Sequence, residues 1–308
     1  MKAPRVTLEQ WRTLQAVVDH GGFAQAAQAL HRSQSSVSYT VARMQEQLGV
    51  PLLSIEGRRA VLTEAGSVLL RRSRNLVQQA SQLELLAWNM EQGWEAEVQL
   101  VVDAAYPTER LTSALLAFMP QSKGCRVQLR EEVLSGVEER LVDGSADLAI
   151  SGLSIPGYLP RQLSSVEFVA VAAPGHPLLQ LQRQLNHRDL EEHLQVVIRD
   201  SGQRQPRDTG WLGAEQRWTV ASLYTASKMV MSGLGFAWLP TQEVNAHLQS
   251  GALCELPLQQ GGRRSHHLFL YANKDRPLGP ASQILAELLV EHSMKDTAKG
   301  FSGSEAAD

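Results

Sequence analysis

The chain has 308 residues, 43% of them apolar, and a formal net charge of -3. That length and apolar content suffice for two modest cores, while no run of 18 apolar residues is present to span a bilayer. Two cysteines, Cys125 and Cys254, are too few and too far apart in sequence for a disulfide scaffold or a zinc site.

Taken in chain order, Thr7 followed by Gln10 is a capping-box signature that opens a helix with Leu8, Trp11, Leu14, Val17 and Val18 as its inward stripe. Gly21 and Gly22 stop it. A second helix, about Phe23 to Leu30, carries Ala26, Ala27 and Ala29, small enough for close helix crossing. Ser33 is placed to cap a third helix, in which Val37, Val41, Met44 and Leu48 recur at spacings of four, three and four and form one apolar stripe. Ser35, Ser36, Ser38, Tyr39, Ala42 and Arg43 fall on its other faces. Short hydroxyls with one reaching cation suit a DNA groove, so the pattern predicts a helix-turn-helix whose third helix does the reading. Ser33, Gln34, Ser35, Ser38 and Tyr39 are expected at the major groove or its flanking phosphates, with Arg43 further along. For Ser33, capping and DNA contact are compatible roles. After Leu48-Gly49-Val50-Pro51, the stretch Ile55 to Leu62 reads as a short hairpin, a wing, with Arg58 and Arg59 able to straddle phosphates or enter the minor groove.

The charge is unevenly spread. Up to Gln92, ten Lys and Arg stand against seven Asp and Glu, and beyond it nineteen stand against twenty-five, so the front is +3 and the rear -6. A mildly basic reader joined to an acidic second domain fits site-specific DNA binding.

From about Thr63 to Met90 the pattern is one long helix in which Leu69, Leu76, Leu83 and Met90 recur every seven residues, with Ser73, Ala80 and Ala87 between them. Such a stripe needs a partner: a second copy of the helix, or the chain's own rear domain. From Val98 the texture changes to strands (98–102, 127–129, 148–150) alternating with helices near 109–118 and 137–142. A second lobe is expected from about Ser164, with a strand at 166–172, and a return to the first lobe at 268–271 before a last helix at 280–292. Ligands in open α/β sheets sit at the carboxyl ends of strands and at helix N-termini. That rule marks Asp103, Ala105, Tyr106 and Pro107, then Ser151 and Gly152, then Arg199 and Ser201, then Ser222 and Thr225. Asp103 is read either as a partner of Arg199 or of a cationic group, or as a helix cap, and Tyr106 either as a cover for an aromatic ligand or as core.

Other chemistry finds little support. His266 and His267 are adjacent, so on a strand they face opposite ways and cannot share a metal. The two thiols are read as buried and inert. Gly233 and Gly235 do not follow a strand as a dinucleotide fingerprint does and are read as packing positions. Ser151-Gly152 and Ser201-Gly202 lack the nucleophile-elbow pattern.

The strings FAQAAQAL, SQSSVS, LGVPLL and LTEAG, in this order within residues 7–66, resemble the DNA-binding domain of the LysR-type transcriptional regulators. FVAVAAPGHPL (168–178), ASLYTASKMVMSGLGFAWLP (221–240) and ANKDRPLGPASQILAELL (272–289) extend the resemblance over nearly the whole chain. One departure is that Leu53 and Ile55 stand where the family usually has phenylalanine and arginine. Either affinity is lower here, or Arg58 and Arg59 carry more of it.

The resemblance implies linker helices that pair two chains, a tetrameric assembly, and a periplasmic-binding-protein-like domain with its ligand in the cleft. The expected layout is an all-α winged helix-turn-helix domain (1–62), a linker or dimerisation helix (63–92), and an α/β two-lobed effector-binding domain (93–295). Within the last, lobe 1 is 93–163 with 268–295, lobe 2 is 164–267, and 296–308 forms a disordered tail. The expected protein is a cytoplasmic, non-enzymatic regulator without cofactor or metal. It binds double-stranded promoter DNA as a homodimer or homotetramer, meets RNA polymerase, and answers to a small molecule. A transporter's solute-binding protein and an enzyme on the two-lobed fold are the alternatives.

Overall fold

The computed structural model describes residues 3–56 and 59–294. Arg58 and the expected tail lie outside the described residues, and Arg59 is described in its backbone alone. The chain divides between Glu91 and Gln92 into two compact units.

The first unit begins with α1 (Leu8–Asp19), opened by the predicted capping box: Thr7 Oγ1 accepts the Gln10 N–H at 3.3 Å and the Thr7 N–H donates to Gln10 Oε1 at 2.8 Å. Gly21, at φ 78°, leads the chain toward α2 (Phe23–Ala29) and α3 (Gln34–Leu48). The antiparallel strands β1 (Leu53–Glu56) and β2 (Arg59–Leu62) form the wing, with Leu53 opposite Leu62. Helix α4 (Glu64–Glu91) follows.

Leu14, Val17, Ala26, Ala27, Val37, Val41, Met44, Leu52 and Leu70 make one core, so the α3 stripe is the docking face that its spacing predicts. Leu8 is corrected: it is exposed, and Thr13 is buried on α1 beside Leu14, Ala16 and Val17, its hydroxyl donating to the Glu9 carbonyl at 2.8 Å. The first turn of α4 lies against the entrance to the wing, where a Cβ on Gly66 would come within 2.0 Å of the Leu52 carbonyl oxygen.

The second unit is built on one nine-stranded sheet. In chain order it runs β3 (Glu97–Asp103), α5 (Thr108–Phe118), β4 (Arg126–Glu132), α6 (Ser135–Val142), β5 (Leu148–Ser151) and β6 (Arg161–Ala172). It continues with α7 (Pro177–Gln180), α8 (His187–Glu191), β7 (Gln195–Ile198), β8 (Arg217–Val220), α9 (Leu223–Met231) and β9 (Phe236–Pro240). Then come α10 (Thr241–Gln249), β10 (Cys254–Glu255), β11 (Arg263–Ala272) and α11 (Pro280–Met294).

The sheet order is β4-β3-β5-β11-β6-β9-β7-β8, with β10 on β6. The parallel set β4-β3-β5 lies toward one end and β9-β7-β8 at the other, and the antiparallel pair β6 and β11 joins them. Each set has its own apolar core, centred on Leu100, Ile150 and Leu285 in the first lobe and on Val196, Val230 and Leu239 in the second.

Both crossing strands are longer than their apolar runs. β6 starts at Arg161 rather than Val166, and β11 at Arg263 rather than Leu268, so the expected changeovers at 163/164 and 267/268 fall inside strands. Polar residues on the exposed sides of these strands hid them.

Candidate functional site

The reading helix is set by its cap and its back. Ser33 Oγ accepts the Ser36 N–H at 3.2 Å, and Gly49, at φ 72°, closes the far end. Gln45 Oε1 accepts the N–H groups of Leu52 and Leu53 at 2.7 and 3.0 Å, which fixes where the wing leaves the helix.

With Val37, Val41 and Met44 buried, Ser33, Gln34, Ser35, Tyr39 and Arg43 are exposed and Ser38 is half-buried. Arg43 Nη1 donates to Tyr39 Oη at 3.1 Å, one turn back along the same ridge. Sequence reasoning missed Arg32 and Arg5. Arg32 leaves the turn and donates to Ser36 Oγ at 3.0 Å, and with Arg5, Tyr39 and Arg43 it borders a shallow hollow beside the ridge. Three guanidiniums stand there against one carboxylate, Glu9, which pairs with Arg32 at 3.4 Å, so the hollow carries net positive charge.

Along α4, Leu70 and Ser73 are buried, Gln15 Nε2 donates to Ser73 Oγ at 3.3 Å, and Arg74 pairs with Asp19. Leu69 packs half-buried on the same core. From there on the stripe is open in the protomer: Leu76 is 47% exposed, Leu83 68% and Met90 52%.

In the second unit a cavity of about 190 Å³ lies where the carboxyl ends of β3, β4 and β5 face β7 and the loop after it. Strand alternation builds its floor. Val166 and Phe168 on β6, His266, Arg264 and Leu268 opposite them on β11, and Trp238 on β9 share one face of the sheet and all line the cavity. Trp211 closes it from the 209–212 loop, its ring centroid 5.8 Å from that of Trp238 and 5.7 Å from that of His187, on which it stacks.

Of the residues marked from sequence, Asp103, Ala105 and Gly152 line this cavity and the other seven do not. Tyr106 is core: its hydroxyl shares a 2.7 Å hydrogen bond with Ser293 Oγ and it is 4% exposed. Pro107 is buried at the start of α5. Ser151 is fully buried and uses its hydroxyl to accept the Leu153 N–H at 3.0 Å. Arg199 is exposed while Asp103 is buried, and among the described residues no ion pair joins them, so of the readings offered for Asp103 the partnership with Arg199 is not formed. Ser222 caps α9 by accepting the Thr225 N–H at 3.1 Å, and both are exposed.

Ser201 belongs to a clasp across the cleft. Its Oγ accepts the Val133 N–H at 2.8 Å, Ser135 donates to Asp200 Oδ2 at 2.6 Å, and Arg207 pairs with Glu138 at 2.6 Å. Gly136 and Gly202 permit the approach, since a Cβ on either would meet Ser201 Oγ or Ser135 Oγ at 2.0 and 2.1 Å. Between Val133 and Ser135, Leu134, at φ 51°, holds a left-handed conformation costly for a leucine.

Burial pushes the Asp103 carboxyl up to about 6, with the nearby Asp200 charge adding to it and the N–H groups of Ala105 and Leu134 opposing. Asp200 goes the other way: burial raises it, but the Ser135 hydroxyl and the N–H groups of Arg207 and Gly202 hold it below the usual range.

Cys125 and Cys254 are half-buried rather than buried, and burial pushes the Cys125 thiol up to about 11. Gly235 is a packing position, its Cβ excluded by the Leu194 carbonyl at 2.1 Å; Gly233 meets nothing and serves its φ of 84°. Among the described residues no group of three or more His, Cys, Asp or Glu could hold a metal ion, and no helix is long and apolar enough to cross a membrane.

Two family models match: "Bacterial regulatory helix-turn-helix protein, lysR family" over residues 8–67 and "LysR substrate binding domain" over residues 91–294. The chain is 31% identical over 247 residues to the uncharacterized HTH-type transcriptional regulator YeeY of Escherichia coli K12, covering 79% of this chain and 80% of that one. It is 31% identical over 257 residues to the HTH-type transcriptional regulator YhaJ of Escherichia coli O157:H7, covering 82% and 86%. Among solved structures it resembles ArgP from Mycobacterium tuberculosis, with TM-score 0.52, 20% identity and 92% and 96% of the two chains covered. Full-length LysG from Corynebacterium glutamicum with bound effector Arg gives TM-score 0.51 and 19% identity, with 94% and 98% covered.

Proposed function

The chain belongs to the LysR family of transcriptional regulators, with a helix-turn-helix DNA-binding domain ahead of an effector-binding domain, and from that premise we propose how it works. Two copies pair through α4 and present two α3 helices about one DNA turn apart to a dyad promoter site, and pairs associate further into a tetramer. The observation that carries the pairing is the open stripe Leu76, Leu83 and Met90 on a 28-residue helix whose first turns, at Gly66, Leu70 and Ser73, are buried against its own domain.

On the DNA side, Ser33, Gln34, Ser35, Ser38, Tyr39 and Arg43 meet the major groove or its edges, and Arg58 and Arg59 of the wing meet phosphate or minor groove. Arg5 and Arg32 add phosphate contacts. The cavity takes the effector, and its occupancy shifts the clasp between Val133–Gly136 and Asp200–Arg207, which reorients the paired linkers and changes DNA bend and contact with RNA polymerase. A regulator that works in this way acts in the cytoplasm. The regulator names of its relatives favour binding over catalysis.

Electrophoretic mobility shifts of the full chain on genomic fragments, with and without Leu76→Asp plus Leu83→Asp, test the pairing. Loss of the shifted band supports it, and a variant that binds normally as a monomer refutes it.

A further inference from the structure

We propose that the cavity takes a small aromatic carboxylic acid whose ring lies among Phe168, Trp238 and Trp211, whose carboxylate meets Arg264, and whose far end carries an amine or hydroxyl donor for Asp103. This deepens the effector reading above and rests on it.

Arg264 is the leading observation. It lines the cavity half-buried, its guanidinium lies 4.8 Å over the Trp238 ring, and Nε donates to the Gly261 carbonyl at 3.2 Å. Among the described residues it forms no ion pair, whereas its neighbour Arg263, on the opposite face of the strand, pairs with both Glu167 and Glu255. A desolvated guanidinium without an anion, stacked on an indole and open to a cavity, fits a carboxylate brought in by a ligand.

The walls argue for the ring. Phe168, Trp211, Trp238 and His266 offer faces and edges to a planar group, and the remaining lining is mainly aliphatic. Trp211 is held in place by Gln195, whose Nε2 donates to its carbonyl at 2.8 Å. At about 190 Å³ the space suits one substituted ring, given that a dry cavity of about 150 Å³ holds benzene.

Asp103 supplies the second end. Same-face residues on a strand stand about 6.7 Å apart, which puts Arg264 about 13 Å along β11 from Leu268. Leu268 borders Gly152 on the Asp103 side of the cavity. Asp103 is 8% exposed, and its carboxyl accepts the Ala105 N–H at 2.9 Å and that of Leu134, which leaves acceptor capacity toward the cavity. A second carboxylate there is repelled, while a donor is welcomed.

Calorimetric titration of the full chain with 4-aminobenzoate, benzoate, 4-aminobenzamide and hexanoate tests this. The expected result is 4-aminobenzoate at least tenfold tighter than hexanoate. Arg264→Gln should cost 4-aminobenzoate at least tenfold and 4-aminobenzamide less than twofold. Asp103→Asn should erase the advantage of 4-aminobenzoate over benzoate. Equal binding of hexanoate, no binding of any of the four at millimolar concentration, or an Arg264→Gln variant with unchanged carboxylate affinity overturns the assignment. Should that variant fail to fold, the wild-type series decides alone. Binding of genomic DNA by the same preparation is scored separately, so the ligand class can fail while the regulator reading stands.

Discussion

Ser135 donates its hydroxyl proton to Asp200 across 2.6 Å, and the contact ties the first turn of α6 to the segment that leaves β7. Both side chains are buried, and Asp200 takes two further N–H donors, from Gly202 at 2.8 Å and Arg207 at 2.7 Å. A carboxylate so surrounded stays charged inside the protein and makes the lobes costly to separate.

Ser135→Ala removes one of three donors and leaves the charge buried. It is expected to lower stability by about 1.5–3 kcal/mol, the range for hydrogen bonds to charged groups. Urea unfolding followed by circular dichroism measures it, and an unchanged midpoint contradicts the clasp.

Asp103 sets a pH dependence of the opposite kind. Its carboxyl rises from 3.8 to about 6 on folding, so the folded state favours the protonated form and stability from this group falls as pH rises through that window. The difference corresponds to about 3 kcal/mol at neutral pH. Asp103→Asn is therefore expected to gain stability over wild type between pH 4 and pH 7 by about that amount, read from denaturant midpoints at the two values. A gain that is flat with pH contradicts the assignment.

The DNA-reading unit was legible because its signals are local. The Thr7 capping box, the Ser33 cap and the Val37, Val41, Met44 stripe each depend on residues within one or two turns, and each forms as its spacing dictates. The cleft was less legible because it is made by register. Arg264 meets Phe168 through strand pairing 96 residues apart in sequence, and RRSHH reads as loop until β11 is seen to begin at Arg263. Extending the strand's alternation backward from Leu268 would have brought His266 and Arg264 onto the cavity face. Tyr106 was ambiguous for the same reason, since its partner Ser293 lies on the last helix.

The proposed pairing through α4 has a direct physical consequence. Leu76→Asp with Leu83→Asp changes residues exposed in the protomer, so the fold should persist, with a melting temperature within a few degrees of wild type, while the mass in solution drops to that of one chain. Light scattering coupled to gel filtration reads the mass. A variant still paired excludes the stripe as the interface.

On the DNA face, Arg43 and Arg32 are expected to differ. Arg43→Ala should cost about 1–3 kcal/mol on a selected site and less on scrambled DNA, as for a base-directed arginine. Arg32→Ala should weaken both alike, as for a phosphate contact. Anisotropy titrations on the two duplexes separate the cases, and an Arg43→Ala variant indistinguishable from wild type on both removes that residue from the interface.

The most direct test of the account is the salt dependence of binding by the full chain to duplexes selected from genomic DNA. Two paired reading units with their wings predict a steep linear fall of log affinity with log salt, a loss on the order of a thousandfold between about 50 and 200 mM, with the selected site tighter than its scrambled counterpart throughout. An affinity indifferent to both salt and sequence would contradict it.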